Sequence, residues 1–124
     1  AYMKKISVSF GPLTEAQLHH FALHSVREFN DGTYGFRYDP RIAESFKKHL
    51  SEDIDLWAQW DALHIPTLVL RGMQSDLLSA ETAAEMQVRG ARAQIIELPG
   101  IGHSPMLVSD DQIAIVKDFL LALG

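Results

Sequence analysis

The chain has 124 residues, 47% of them hydrophobic, which is enough for one globular domain with a sizeable core. A formal net charge of −5 without any block of Lys or Arg argues against a nucleic-acid partner. The sequence contains no cysteine, so it can form neither a disulfide nor a thiolate metal site. It also shows neither a signal peptide nor an apolar run of about 20 residues. We therefore expect a cytoplasmic protein without a membrane partner.

The sequence up to residue 63 has patterns that are typical of helices, apart from one ambiguous segment near its start. Thr14 and Gln17 form a capping box, and the apolar spacing after them predicts a helix that runs to Phe29 and ends at Gly32. Residues 4–10, in contrast, alternate in polarity as a short strand does.

Two further helices are predicted between residues 38 and 63. Asp39 as N-cap and Pro40 at the first helical position predict one over 38–50. An acidic first turn, followed by apolar residues about three apart, predicts the other over 51–63.

The second half of the chain alternates between strand and helix patterns. Short apolar, β-branched runs bounded by glycine are typical of buried strands, whereas capped segments with an apolar stripe predict helices. The predicted elements are strands over 67–72 and 93–100 and helices over 79–90 and 109–124.

Two loops at the carboxyl ends of these strands carry the polar residues of interest. A strand–helix–strand unit of this length predicts a parallel pair, and functional groups of such sheets gather at the carboxyl ends of the strands. Residues 72–79 follow the first strand and contain Asp76, and residues 100–107 follow the second and contain His103. Because paired strands lie about 4.8 Å apart, a hydrogen bond between Asp76 and His103 is geometrically reasonable.

These two residue types suit acid–base catalysis. Histidine exchanges protons near neutral pH, and a carboxylate on its second ring nitrogen fixes the tautomer and stabilises the imidazolium. The residues alone leave an alternative open, in which Asp76 is a turn or cap residue and His103 an ordinary loop histidine.

Three segments, PTLVLRGMQSDLLSAETAAEM, IELPGIGHSPML and QIAIVKDFL, together resemble the C-terminal part of the α/β-hydrolase superfamily. In that family the catalytic acid follows the penultimate strand and the histidine follows the last, so the resemblance implies that Asp76 is the acid and His103 the base. It covers roughly residues 60–123. The upstream helices resemble the family's inserted cap, which implies an incomplete α/β-hydrolase fold: a helical cap segment over 1–62, then a parallel β-α-β-α unit over 63–124.

The nucleophile of this family stands in a G-x-S-x-G elbow ahead of the cap, and the sequence contains no such motif. The resemblance therefore implies the C-terminal part of a serine-type hydrolase that cleaves an ester, lactone or carbon–carbon bond of a small molecule, without a cofactor. The chain alone is predicted to be inactive. Two alternatives stay open: a dehalogenase or epoxide hydrolase with an aspartate nucleophile upstream, and a non-catalytic binding domain.

Three apolar side chains are candidates for substrate contact, namely Trp57, Met73 and Met106. The methionines flank the proposed acid and base, and methionine adapts well to apolar ligands; Trp57 at its spacing is also typical of a core residue. No metal site is predicted, because His20 and His24 share a helix face without a third ligand or an H-E-x-x-H motif.

A sheet of two parallel strands is small, and without preceding strands it exposes an apolar edge and face. We therefore expect the isolated chain to self-associate through its sheet edge, with residues 4–10 as a candidate additional strand.

Overall fold

The computed structural model describes residues 7–44 and 54–124, which form two compact units. One unit extends from Thr14 to Asp55, and the other joins the described residues up to Leu13 to Leu56–Gly124. The segment before Thr14 and the helix after Leu56 both pack with the C-terminal half. The division into a helical cap over 1–62 and a core part over 63–124 stays a prediction.

The unit from Thr14 to Asp55 begins with helix α1, Glu15–Ser25. Its predicted capping box is confirmed: Thr14 Oγ1 accepts a hydrogen bond from the Gln17 N–H at 3.2 Å, and Gln17 Oε1 accepts one from the Thr14 N–H at 2.8 Å. Two orphan donors of the first turn are thereby satisfied.

The helix ends before Phe29, contrary to the prediction, because the chain turns into a β-hairpin. Strand β1, Val26–Glu28, pairs antiparallel with β2, Tyr34–Phe36. In the connecting turn the Asp31 carboxylate accepts hydrogen bonds from the Thr33 N–H at 2.9 Å and the Thr33 hydroxyl at 2.6 Å, and Gly32 adopts a φ of +78°. Turn chemistry of this kind favours a hairpin over continued helix.

The helix predicted over 38–50 begins where the sequence places it. Asp39 Oδ1 accepts a hydrogen bond from the Arg41 N–H at 2.9 Å, and residues 42–44 are helical. Its continuation over 45–50 lies outside the described residues.

The other unit begins with a short 3-10 helix, Ser7–Phe10. The strand considered for residues 4–10 is therefore wrong over 7–10, while residues 4–6 lie outside the described part.

The helix predicted over 51–63 is α2, Trp57–Asp61; residues 51–53 are not among those described. Arg89 secures α2, with Nε donating to Asp61 Oδ1 at 2.8 Å, and this hydrogen bond lowers the pKa of the Asp61 carboxyl.

The remaining predictions of strands and helices are confirmed. Strands β3 and β4 pair in parallel, with a register from Leu68↔Gln94 to Gly72↔Leu98. The elements, in order, are β3 (Leu68–Gly72), α3 (Ala80–Val88), β4 (Gln94–Leu98) and α4 (Asp110–Leu121).

The sequence suggests a second capping box at the start of α4, from Ser109 and Gln112, and this box is not formed. The Gln112 side chain is buried, and its Oε1 accepts a hydrogen bond from the Leu107 N–H at 3.1 Å. Leu107 has a φ of +53°. The buried amide therefore satisfies a backbone donor of the preceding loop rather than the helix terminus.

The packed core of this unit is small. Among the described residues, its buried apolar side chains are Ala83, Ala93, Leu98 and Ile101. Much larger apolar side chains stay exposed, including Leu77 and Val88 at 72% each and Leu121 at 68%. Apolar surface of this kind is typical of a face that another protein segment covers.

No helix in the described part of the chain has the length and apolar character needed to cross a bilayer.

Candidate active site

The loops that follow β3 and β4 meet at one edge of the sheet, as the sequence predicts. Gly72 and Leu98 are register partners at the ends of the two strands. Beyond them, the Met73 N–H donates to the Leu98 carbonyl and the Gln74 N–H to the Ile101 carbonyl, each at 2.9 Å. Backbone hydrogen bonds therefore bind the acid-bearing loop to the histidine-bearing loop.

This close approach depends on glycine. A Cβ built on Gly72 would lie 1.9 Å from the Gly102 carbonyl oxygen and 2.5 Å from that of Ile101. One on Gly102 would lie 2.6 Å from the Ser9 carbonyl oxygen, which accepts a hydrogen bond from the Ser104 N–H at 3.1 Å. The 3-10 segment thus fixes the far side of the histidine loop.

At this edge the structure places His103 beside Ser75. Ser75 Oγ lies 3.2 Å from His103 Nδ1, and the histidine is exposed. Asp76, next along the chain, is also exposed. Among the described residues, no hydrogen bond or ion pair joins Asp76 to His103, so the predicted pair shares an edge but not a contact.

Ser75 is the site residue that sequence reasoning missed, because a serine in a polar turn is read most simply as a turn residue. Its oxygen does serve the turn, accepting hydrogen bonds from the Leu77 N–H at 3.3 Å and the Leu78 N–H at 3.0 Å. With both lone pairs directed at backbone donors, this oxygen is a poor nucleophile. The signal was its position, immediately before the proposed acid.

A buried arginine also supports the acid-bearing loop. Arg71 lies on β3 opposite Glu97 on β4, and its guanidinium reaches Glu97 Oε1 at 2.8 Å. Its Nε donates to the Leu78 carbonyl at 2.8 Å. The Arg71 side chain is only 8% exposed whereas that of Glu97 is 44% exposed, so the two charges differ in their access to water.

This asymmetry predicts unequal costs for removing either partner. Glu97→Ala leaves a buried guanidinium without its counter-ion and should lower the free energy of unfolding by about 2–3 kcal/mol. Arg71→Met removes the buried charge, leaves a carboxylate that water can reach, and should cost less. Urea unfolding measures both, with Asp118→Ala on the exposed surface of α4 as a control expected within about 0.5 kcal/mol of the parent. Equal costs for the two variants would contradict this account.

Of the candidate substrate contacts, Trp57 lies apart from the acid and base. The Arg89 guanidinium lies 4.4 Å from the centre of the Trp57 ring, and the Trp60 indole N–H donates to the Arg89 carbonyl at 3.1 Å. Arg89 ends α3, just before β4 begins, and therefore lies at the amino ends of the strands. The loops of Asp76 and His103 occupy the opposite edge.

Met73 and Met106, in contrast, belong to the two loops at the site. Met73 is 51% exposed and Met106 is half-buried. Contact of either side chain with a substrate remains a prediction.

The histidines of the other unit form a local pair. The rings of His20 and His24 lie 4.3 Å apart at a tilt of 51°. In the part of the chain that the structure describes, no group of three or more His, Cys, Asp or Glu side chains could hold a metal ion.

The sequence is similar to that of a bacterial hydrolase. It is 41% identical over 127 residues to the 3-hydroxybutyrate-oligomer hydrolase of Cupriavidus necator, an alignment that covers 96% of this chain. The chain spans 43% of the length of that relative. No protein-family model matches the chain.

Two solved structures have the same fold over nearly the whole chain. A Rickettsia typhi protein assigned as a hydrolase superposes on 98% of it with a TM-score of 0.85 and 27% identity. An α/β hydrolase from Novosphingobium aromaticivorans superposes on 93% with a TM-score of 0.75 and 35% identity. Both matches cover about two fifths of the larger protein, at 40% and 41%. The chain therefore has the fold of part of an α/β hydrolase and spans about two fifths of the length of the proteins that it matches.

Proposed function

We propose that this chain supplies the catalytic base, His103, and the orienting acid, Asp76, to a serine-type hydrolase whose nucleophile stands outside these 124 residues. The observation that carries the proposal is the junction of the two loops at the carboxyl edge of the sheet. There, backbone hydrogen bonds from Met73 and Gln74 hold the histidine loop against the acid loop. Function in parallel α/β sheets concentrates at this edge.

In the proposed reaction, His103 Nε2 accepts the proton of the nucleophilic hydroxyl as its oxygen bonds to the substrate carbonyl carbon. The tetrahedral intermediate collapses with cleavage of the ester C–O bond, and the imidazolium returns the proton to the leaving alcohol. Water then repeats the sequence on the acyl-enzyme. Throughout, the Asp76 carboxylate would accept a hydrogen bond from Nδ1–H and stabilise the imidazolium.

For the substrate, we infer an ester between short hydroxyalkanoate units. The support is the name of the Cupriavidus necator relative, which is 41% identical to this chain.

The test is hydrolysis by the full-length protein that contains this chain. Dimers and trimers of 3-hydroxybutyrate should be cleaved, whereas an epoxide and a haloalkane should not. Turnover of the epoxide or haloalkane alone would indicate an aspartate nucleophile. Absence of turnover with every substrate would favour the non-catalytic binding domain.

We further propose that the edge of β3 facing away from β4, which pairs with no other strand among the described residues, packs against the rest of the hydrolase together with the exposed apolar side chains of this unit. The 124-residue chain alone should therefore form concentration-dependent assemblies in sedimentation experiments at micromolar concentration. The full-length protein at the same concentration is the control, and it should sediment without such assemblies. A clean monomer of the isolated chain would contradict this proposal.

A further inference from the structure

We propose that Ser75 is a positioning residue that holds His103 in a resting tautomer, from which Asp76 must release it. The inference rests on the proposed function of His103 as the base. It begins from the 3.2 Å approach of Ser75 Oγ to His103 Nδ1.

The direction of this hydrogen bond follows from the other partners of the serine. A hydroxyl group has one donor and two acceptor positions. Ser75 Oγ accepts from the backbone N–H groups of Leu77 and Leu78, at 3.3 and 3.0 Å. Both acceptor positions are therefore used, and the hydroxyl proton is the group left to face Nδ1. Ser75 donates, and His103 Nδ1 accepts.

An Nδ1 that accepts a hydrogen bond carries no proton, so the proton of the neutral ring is on Nε2. A triad base needs the opposite arrangement, with Nδ1–H donating to the acid and Nε2 free to accept from the nucleophile. The arrangement around Ser75 is thus a resting one. To become productive, the ring loses its Nε2 proton to water and gains one from water at Nδ1, while the serine keeps its own.

The structure provides the group that takes over Nδ1. Asp76 adjoins Ser75 in the same loop, and its exposed side chain is not hydrogen-bonded to His103 among the described residues. Arg71 holds the far end of this turn through the Leu78 carbonyl at 2.8 Å. The exchange therefore needs a rotation of exposed side chains and no rearrangement of the strands.

Two substitutions separate this role from that of an ordinary turn serine. Ser75→Thr keeps one donor and two acceptor positions and should leave the tautomer unchanged. Ser75→Asp can still accept from the backbone N–H groups of the turn, as aspartate does in Asx-turns. It cannot donate to Nδ1, however, and should therefore convert His103 to the Nδ1–H tautomer.

The measurement is a ¹⁵N spectrum of the histidine rings of the full-length protein, in alkaline buffer where imidazole is neutral. Protonated and unprotonated ring nitrogens resonate far apart, so the tautomer of His103 is read directly. We expect Nε2–H in the parent and in Ser75→Thr, and Nδ1–H in Ser75→Asp. Ser79→Ala, at a serine that caps α3 without contacting His103, is the matched control and should not change the signal.

A kinetic test uses the exchange of Ser75 for a carboxylate as the hydrogen-bond partner of His103 Nδ1. Asp76→Asn should reduce kcat by about 10⁴-fold, because the base loses its acid. Adding Ser75→Asp to this variant places a carboxylate at Nδ1. The double variant should have a kcat at least about tenfold higher than that of Asp76→Asn alone, with little change in KM. A turn serine without this role would give no such rescue.

The outcomes distinguish this inference from the proposed function. If the parent shows Nδ1–H, or if Ser75→Asp leaves Nε2–H in place, Ser75 does not hold the resting tautomer, whatever the activity. If His103→Ala remains fully active, the proposed function fails, whatever the tautomer.

Discussion

Replacing His103 by alanine in the full-length protein is expected to lower the rate of ester hydrolysis by about 10³–10⁴-fold. The imidazole is the group that takes the proton of the nucleophile and returns it to the leaving alcohol, and both transfers fail without it. Because His103 is exposed, its removal opens no cavity in the core. The variant should therefore bind substrate and unfold in urea like the parent. The measurement is kcat and KM for a 3-hydroxybutyrate oligomer.

The matched control is His64→Ala. His64 is also an exposed histidine of the same unit, but it precedes β3 and so lies near the amino ends of the strands. Its removal should change kcat less than twofold, within the scatter of ordinary surface substitutions. Comparable losses in both variants would point to a general effect on folding and would contradict the assignment of His103 as the base.

Gly72→Ala is expected to separate the two site loops and to cost about 3 kcal/mol in the free energy of unfolding. Its Cβ would stand 1.9 Å from the Gly102 carbonyl oxygen, which is a backbone atom, and no side-chain rotation can separate the two. Relief requires the end of β3 to move from the histidine loop, so hydrolysis should fall together with stability. Urea unfolding and the oligomer assay measure the two effects.

Gly100→Ala is the control that distinguishes the cost of steric crowding at Gly72 from the cost of an unfavourable backbone conformation. Gly100 has a φ of +74° and open space where a Cβ would stand. Alanine there should cost about 1 kcal/mol from the left-handed backbone alone. A Gly72→Ala variant no less stable than Gly100→Ala would contradict the close approach of the two loops.

The second half of the fold could be predicted from the sequence because its signals are local and agree with one another. The strand around Leu70 is a continuous apolar run ended by glycine, and Ser79 caps α3 as its sequence indicates, accepting from the Thr82 N–H at 3.0 Å. Once two strands flank one helix, topology brings their carboxyl ends together. The meeting of the Asp76 and His103 loops therefore followed from pattern alone.

Other features were decided by contacts between residues far apart in sequence or by turn chemistry. The spacing from Leu18 to Phe29 fits a helix, yet the turn at Asp31 and Gly32 forms a hairpin instead. Gln112 fits a capping box, yet its buried amide satisfies a loop N–H.

The partner of the base was missed for a related reason. Which of two adjacent side chains, Ser75 or Asp76, faces His103 depends on the geometry of one turn. No periodicity in the sequence reports that geometry.

The central claim is that His103 serves a serine located outside these 124 residues. The most direct test is to treat the full-length protein with a fluorophosphonate and to map the labelled residue by mass spectrometry, in the parent and in His103→Ala. We predict that the parent carries the label on a serine of a G-x-S-x-G segment outside this chain, and that labelling of the variant is strongly slowed. A label on Ser75 or another serine of this chain, or equal labelling of parent and variant, would contradict the account.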